Sequence, residues 1–261
     1  MSMREARPPT ELSGQVIIVT GGTRGIGEGI VRLLADAGAK LVVTGRKLEA
    51  LERIGAELEA QGVEHLTAQA DVADRDAAFA VVERAAQRFG RIDGLVANAQ
   101  SMISVRPLLE IDERRFEVLL STGPKGTLWW MQAVVPHMER LGRGRIVTFG
   151  STLGLTGLPK YGPYAAAKEA IRSLTRTAAN EWGRLGITVN CILPASTAHR
   201  LPPDDEARTR AWASMFDDHP LGRDGDPVHD IAPTVAFLLS DASQYLTGQT
   251  LMVDGGGVMR A

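Results

Sequence analysis

Cysteine is almost missing from the 261-residue chain: Cys191 stands alone, which excludes an internal disulfide and any metal site built on several thiolates. It falls in the apolar stretch from Val189 to Leu193, where a buried, inert thiol is expected. An excess of one charge is missing too. Twenty-nine Lys and Arg against 31 Asp and Glu leave a formal net charge of −2, so no basic surplus points to nucleic acid or to a membrane surface. No apolar run approaches the ~18 residues of a membrane-crossing helix. Residues 1–9 carry Arg4, Glu5 and Arg7 but no apolar core, which is unlike a secretory signal. A flexible arm over residues 1–11 and a reducing, cytoplasmic setting are the expectations.

What the chain does have is regular alternation. Apolar, mostly β-branched runs predict strands at 16–20, 40–44, 65–70, 94–97, 145–149, 188–193 and 250–253. Helical patterns fall between them, at 25–37, 47–60, 74–89, 113–140, 164–184 and 228–240. Strand–helix alternation with buried strands implies an α/β fold. The expectation is a doubly wound (Rossmann) parallel sheet of about seven strands, with helices on both faces and a single domain over residues 12–261. The segment 195–225 interrupts the alternation with Pro202, Pro203, Pro220, a charged stretch and the apolar Trp212, Met215 and Phe216. A long insertion of this kind reads as a substrate lid, or as a surface excursion with its own helix.

The first strand runs into Thr20-Gly21-Gly22-Thr23-Arg24-Gly25-Ile26-Gly27, which opens the first helix. Glycines at 21, 25 and 27 allow positive φ and close approach of a pyrophosphate, and the helix N-terminus offers free N–H groups to the anion. An acidic residue at the end of the second strand would hold an adenosine ribose hydroxyl and favour NAD(H). Here the chain reads Thr44-Gly45-Arg46-Lys47, with no carboxylate. Arg46, Arg24 and Lys47 suit a 2′-phosphate instead, so NADP(H) is expected over NAD(H).

Tyr164 and Lys168 lie four residues apart in an alanine-rich helix and so share a face. A cation beside a phenol favours the phenolate, which makes Tyr164 a candidate acid–base group near neutral pH. Ser151 follows a buried strand ending at Phe149, at the end of the sheet where open α/β folds bind ligands.

With these residues in place, the chain resembles the short-chain dehydrogenase/reductase family, particularly its 3-oxoacyl-reductase-like single-domain branch. The matching pieces run in order from about Leu12 to Met259: TGGTRGIG at 20–27, Asp71-Val72, Asn98-Ala99, Ser151, Tyr164 to Lys168, HPLGRDGDP at 219–227 and TGQTLMVDGGG at 247–257. The resemblance implies hydride exchange between a nicotinamide and a ketone or secondary alcohol. Tyr164 is implied as proton donor and acceptor, Lys168 as its partner on the nicotinamide ribose, and Ser151 as the group that polarises the carbonyl. It implies cofactor contacts at Gly21, Thr23, Arg24, Gly25, Ile26, Gly27, Arg46, Asp71, Val72, Asn98, Ala99, Tyr164, Lys168, Pro194 and Thr197, no metal, and a homotetramer.

Four positions depart from the family pattern. Gln100 replaces the glycine of Asn-Ala-Gly and is expected to add bulk near the cofactor or to point an amide into the substrate cleft. Ala195 replaces the glycine after Pro194, and His199 stands where a threonine near the cofactor is usual. Aligned on Lys125-Gly126-Thr127, Gly123 takes the place of the family's catalytic Asn, whose backbone carbonyl holds a relay water. Pro124 lacks an N–H and is expected to kink the helix and leave the Leu120 carbonyl unpaired, with Ser121 or Thr122 supplementing the relay. The alternative reading is a catalytically weak, NADP(H)-binding regulatory protein on the same fold. Leu153, Leu155, Leu158, Trp212 and Met215 suggest an apolar ligand surface or mutual packing. No basic cluster at Arg106 or Lys160 suits a carrier-protein substrate, so the expected partner is a free small-molecule ketone or alcohol. Trp129 and Trp130 are candidates for interface or core.

Overall fold

The computed structural model describes residues 11–101, 106–196 and 219–259. Among them are seven strands: β1 (Val16–Thr20), β2 (Lys40–Gly45), β3 (His65–Gln69), β4 (Gly94–Ala97), β5 (Gly144–Phe149), β6 (Ile187–Pro194) and β7 (Thr250–Val253). They form one parallel sheet in the order β3-β2-β1-β4-β5-β6-β7. The helices are α1 (Gly25–Asp36), α2 (Leu48–Ala60), α3 (Arg75–Phe89), α4 (Glu113–Leu120), α5 (Gly126–Leu141), α6 (Thr152–Thr156), α7 (Gly162–Trp182) and α8 (Ala232–Leu239). The expected doubly wound α/β domain is the one observed.

Alternation along each strand divides the core. Ile17 and Val19 of β1, with Leu41 and Val43 of β2, meet Ile30 and Leu34 of α1 and Leu51 and Ile54 of α2 on one face. Val16 and Ile18 face the other way, onto a layer that includes Val82 of α3 and Trp130, Val134 and Met138 of α5. Both faces of the central strands are therefore apolar, as a covered parallel sheet requires. Trp130 belongs to this core; Trp129 is half-buried, with the Arg75 guanidinium 5.8 Å above its ring.

Local signals set the element ends. Asp74 caps α3 by accepting from the Ala77 N–H at 3.0 Å, and Gly90 stops it in a left-handed turn at φ 76°. The strand order reverses direction between β1 and β4, so their C-terminal ends open a crevice rather than a continuous edge. A buried carboxylate pins that junction from below: Asp93 accepts from the Val16 N–H at 2.9 Å and from Arg91 Nε at 2.8 Å.

The long helix expected over 113–140 is broken as Pro124 foretold, but not as a simple kink. Ser121–Lys125 form a π-helical turn between α4 and α5, and the Gly126 N–H donates to the Ser121 carbonyl. The i→i+5 register sets the Leu120 carbonyl opposite the Lys125 N–H, so the missing N–H of Pro124 does not leave it unpaired. Ser121 and Thr122 turn their hydroxyls back onto the Val118 carbonyl, at 3.3 and 2.7 Å, and are not free to supplement a relay. An extra residue in the turn absorbs the proline. Among the described residues, no helix is long and apolar enough to cross a membrane.

Candidate active site

The glycine loop joins β1 to α1 at the crevice. Gly21 and Gly25 adopt positive φ, 67° and 54°, which side chains rarely tolerate. Gly27 is needed for a different reason. A Cβ there would collide with the Gly21 carbonyl and stand 2.7 Å from Asn98 Nδ2. Asn98 secures this arrangement by donating to the Thr20 carbonyl at 3.0 Å and the Gly21 carbonyl at 3.3 Å. The Ala99 N–H donates to Thr20 Oγ1 at 3.0 Å. The Asn98 amide is thus spent on holding the loop, a role that the sequence placed only as cofactor cleft. α1 starts after its N-cap Arg24, whose side chain accepts from none of the first N–H groups of the helix.

The adenosine end lies beside β2. Gly45 packs on Thr23, and Gln69 Nε2 holds the Arg46 carbonyl at 2.8 Å. The Arg24 and Arg46 side chains are exposed, and neither guanidinium is bonded to another described residue. Arg53, by contrast, is tied to Glu28, Glu57 and the Thr23 carbonyl, which raises its already high pKa mainly through the Glu28 bond. Asp71 is exposed at the end of β3, its carboxylate accepting from the Ala73 N–H at 3.0 Å. The Val72 carbonyl abuts Gly126 of α5, where a Cβ would come within 2.8 Å.

At the other end of the crevice, Lys168 is buried on α7. Its Nζ donates to the Phe149 carbonyl at 2.9 Å and lies 5.6 Å from the centre of the Tyr164 ring. Burial pushes this ammonium down to about 8, against a small opposing influence from the Cys191 thiol. That thiol is itself pushed up by burial, in keeping with an inert cysteine. Ser151, two residues beyond Phe149, is the N-cap of the five-residue α6, a helix not expected from sequence. Its Oγ accepts from the Leu153 N–H at 3.2 Å, which leaves the hydroxyl proton to donate elsewhere. Leu153 and Leu155 are half-buried on α6 and Leu158 is exposed beyond it.

Pro194 ends β6 against Val253, and the Ala195 N–H donates to the Val253 carbonyl at 3.0 Å. Thr197, His199, Trp212, Met215 and most of the expected lid, like residues 1–10 of the arm, lie outside the described residues. Gln100 does not point into the cleft as expected: its amide folds against Gly123 instead. The absence of a side chain at 123 is what makes room for it.

A dinucleotide fits this crevice. The loop packs too closely to admit a Cβ at Gly22 or Gly27, no N-cap side chain occupies the start of α1, and the exposed Arg24 and Arg46 guanidiniums have no bonded partner among the described residues. Comparison with known proteins agrees. Residues 21–257 match a family model described as enoyl-(acyl carrier protein) reductase. Gluconate 5-dehydrogenase from Gluconobacter oxydans is 37% identical over 249 residues, covering 94% of this chain and 95% of its own. A 3-oxoacyl-acyl-carrier-protein reductase from Staphylococcus aureus is 36% identical, covering 93% and 97%. Among solved structures, a protein from Sinorhizobium meliloti 1021 described as a short-chain alcohol dehydrogenase superposes with a TM-score of 0.88 at 35% identity, covering 95% and 98%. Levodione reductase does so at 0.85 and 32%, covering 94% and 98%. The chain belongs to the short-chain dehydrogenase/reductase family. It is an oxidoreductase of the alcohol–carbonyl type, with a nicotinamide cofactor.

Proposed function

We propose that the protein is an NADP(H)-dependent oxidoreductase that interconverts a small ketone and its secondary alcohol, with Tyr164 as the acid–base group. The observation that carries this reading is the buried Lys168 ammonium, held at the end of β5 and 5.6 Å from the Tyr164 ring. Its charge favours the phenolate, so the phenol can give its proton to a carbonyl oxygen and take it back in the reverse direction. Ser151, whose oxygen already accepts from Leu153, donates its own proton to the same substrate oxygen and orients it. NADP(H), when bound, supplies or accepts the hydride. The preference for NADP(H) rests on Arg24 and Arg46, exposed, without carboxylate partners among the described residues, and suited to a 2′-phosphate.

A free small molecule fits better than a carrier-bound one. Arg106, the first basic candidate for a carrier docking site, is paired with Glu110 at 3.3 Å. The homotetramer implied by the resemblance would use faces of α5 and α7, and Trp129 rather than Trp130 is the tryptophan left for it.

The deciding experiment is NADPH and NADH oxidation against a panel of ketones, with Tyr164→Phe as control. Turnover that prefers NADPH and falls by at least about 100-fold in the variant is the expected result. Tight NADPH binding without turnover, or a Tyr164→Phe enzyme as fast as the native one, would overturn the reading.

A further inference from the structure

Both ends of the Gln100 amide are unpaired. Nε2 and Oε1 are buried, and neither has a hydrogen-bond partner among the described residues. The amide lies against Gly123, so that a Cβ there would stand 2.9 Å from Nε2 and 3.1 Å from Cδ and would displace it. The backbone on both sides of Gln100 is fastened, by the Ala99 N–H to Thr20 Oγ1 at 3.0 Å and by the Ser101 N–H to Thr122 Oγ1 at 3.2 Å. Only the side chain, with its three rotors, is left to move. An apolar side chain of the same length would fill the recess without burying two unsatisfied polar atoms. The polar ends of Gln100 are therefore open to a partner that the described residues do not supply.

We propose that Gln100 is a specificity-determining residue whose amide, folded against Gly123, turns into the cleft to hydrogen-bond a hydroxyl group on the substrate. The inference rests on the reductase reading and narrows it to ketones that carry a hydroxyl near the reacting carbon. The position supports the direction of movement. Gln100 follows the C-terminal end of β4 beside the glycine loop, and the π turn that holds its recess packs on α7, the helix of Tyr164 and Lys168. The chemistry supports the choice of group. The amide offers donors at Nε2 and an acceptor at Oε1, and a hydroxyl is the smallest group that can answer both. A carboxylate would answer only the first and an ammonium only the second.

The test uses the full chain with NADPH, cyclohexanone and the α-hydroxy derivative of cyclohexanone. Gln100→Met keeps the length of the side chain and removes its polar ends. It should melt no lower than the native protein, bind NADPH with the same Kd and reduce cyclohexanone at the same kcat/KM. Its kcat/KM for the hydroxyketone should fall roughly tenfold. Gly123→Ala, which closes the recess and displaces the amide, should keep or raise the native preference for the hydroxyketone while melting lower. An unchanged hydroxyketone-to-ketone ratio in Gln100→Met overturns the proposal while leaving the reductase reading intact. Failure of the native protein to turn over either ketone despite binding NADPH would instead overturn that reading, and this inference with it.

Discussion

Lys168→Met should make the unliganded protein more stable at neutral pH while abolishing its turnover. Burial lowers the Lys168 ammonium from 10.5 to about 8, which corresponds to a penalty of about 3 kcal/mol for keeping it charged in the fold. Below about pH 8 the group is protonated in both folded and unfolded chains, so the penalty is present in full and independent of pH. Between about 8 and 10.5 the unfolded chain holds more protons, so stability rises with pH through that window and the penalty is largely recovered by pH 10. Methionine removes the penalty but strands the Phe149 carbonyl, which now accepts from Nζ at 2.9 Å; losing that donor costs about 1–2 kcal/mol. The net expectation at pH 7 is a gain of about 1–2 kcal/mol, or a melting temperature higher by about 2–8 °C for a chain of this size. Urea unfolding of both proteins without cofactor, at pH 7 and pH 10, measures the difference and cancels every other titrating group. The variant should lead at pH 7 and trail by about 1 kcal/mol at pH 10. A variant less stable at both pH values by the same margin would show that the buried ammonium carries no desolvation penalty, and would refute the reasoning.

Arg46→Ala should weaken NADPH binding about 10- to 100-fold and leave NADH binding unchanged, because only the 2′-phosphate loses a charge-assisted partner. Fluorescence titration with each cofactor reads this directly, and equal weakening of both would remove Arg46 from the phosphate site. Gly27→Ala should lower stability by about 1–3 kcal/mol and reduce the affinity for both cofactors, since its Cβ meets the Gly21 carbonyl and Asn98 Nδ2, parts of a loop fastened from behind. Unchanged melting and affinity would mean that the loop is free to yield.

The fold could be read from the chain because its signals are local. Runs such as Val16 to Thr20 and Leu41 to Val43 are mostly β-branched and buried on both faces, and the intervening helices carry their own stops, as Gly90 does for α3. The i, i+4 spacing of Tyr164 and Lys168 is also a local fact, and the structure keeps the two side chains on one face. What escaped the sequence depends on distant partners. That Lys168 would be anchored to Phe149, nineteen residues earlier, has no sequence signature. Nor does the spending of the Asn98 amide on a loop some seventy-eight residues upstream. The proline in the long helix was visible, but nothing in its neighbours distinguished a simple kink from the π turn that accommodates it. Gln100 and Gly123 each stood out as departures. Their contact became visible only when the β4 loop and the π turn were brought together.

The features on which the proposed reactivity rests are also ones that cost the fold stability. A buried ammonium with a lowered pKa, an amide with no partners among the described residues and a helix start without a side-chain cap all lie along the C-terminal edge of the sheet. Below that edge, the Asp93 carboxylate is satisfied by Val16 and Arg91, and the sheet around it is apolar on both faces. A ligand that meets these groups contributes stability by mass action, about 2.7 kcal/mol at one hundred times its Kd. Substitutions that improve the empty protein at Lys168 or Gln100 therefore act against binding or turnover, whereas substitutions around Asp93 change stability without touching the chemistry.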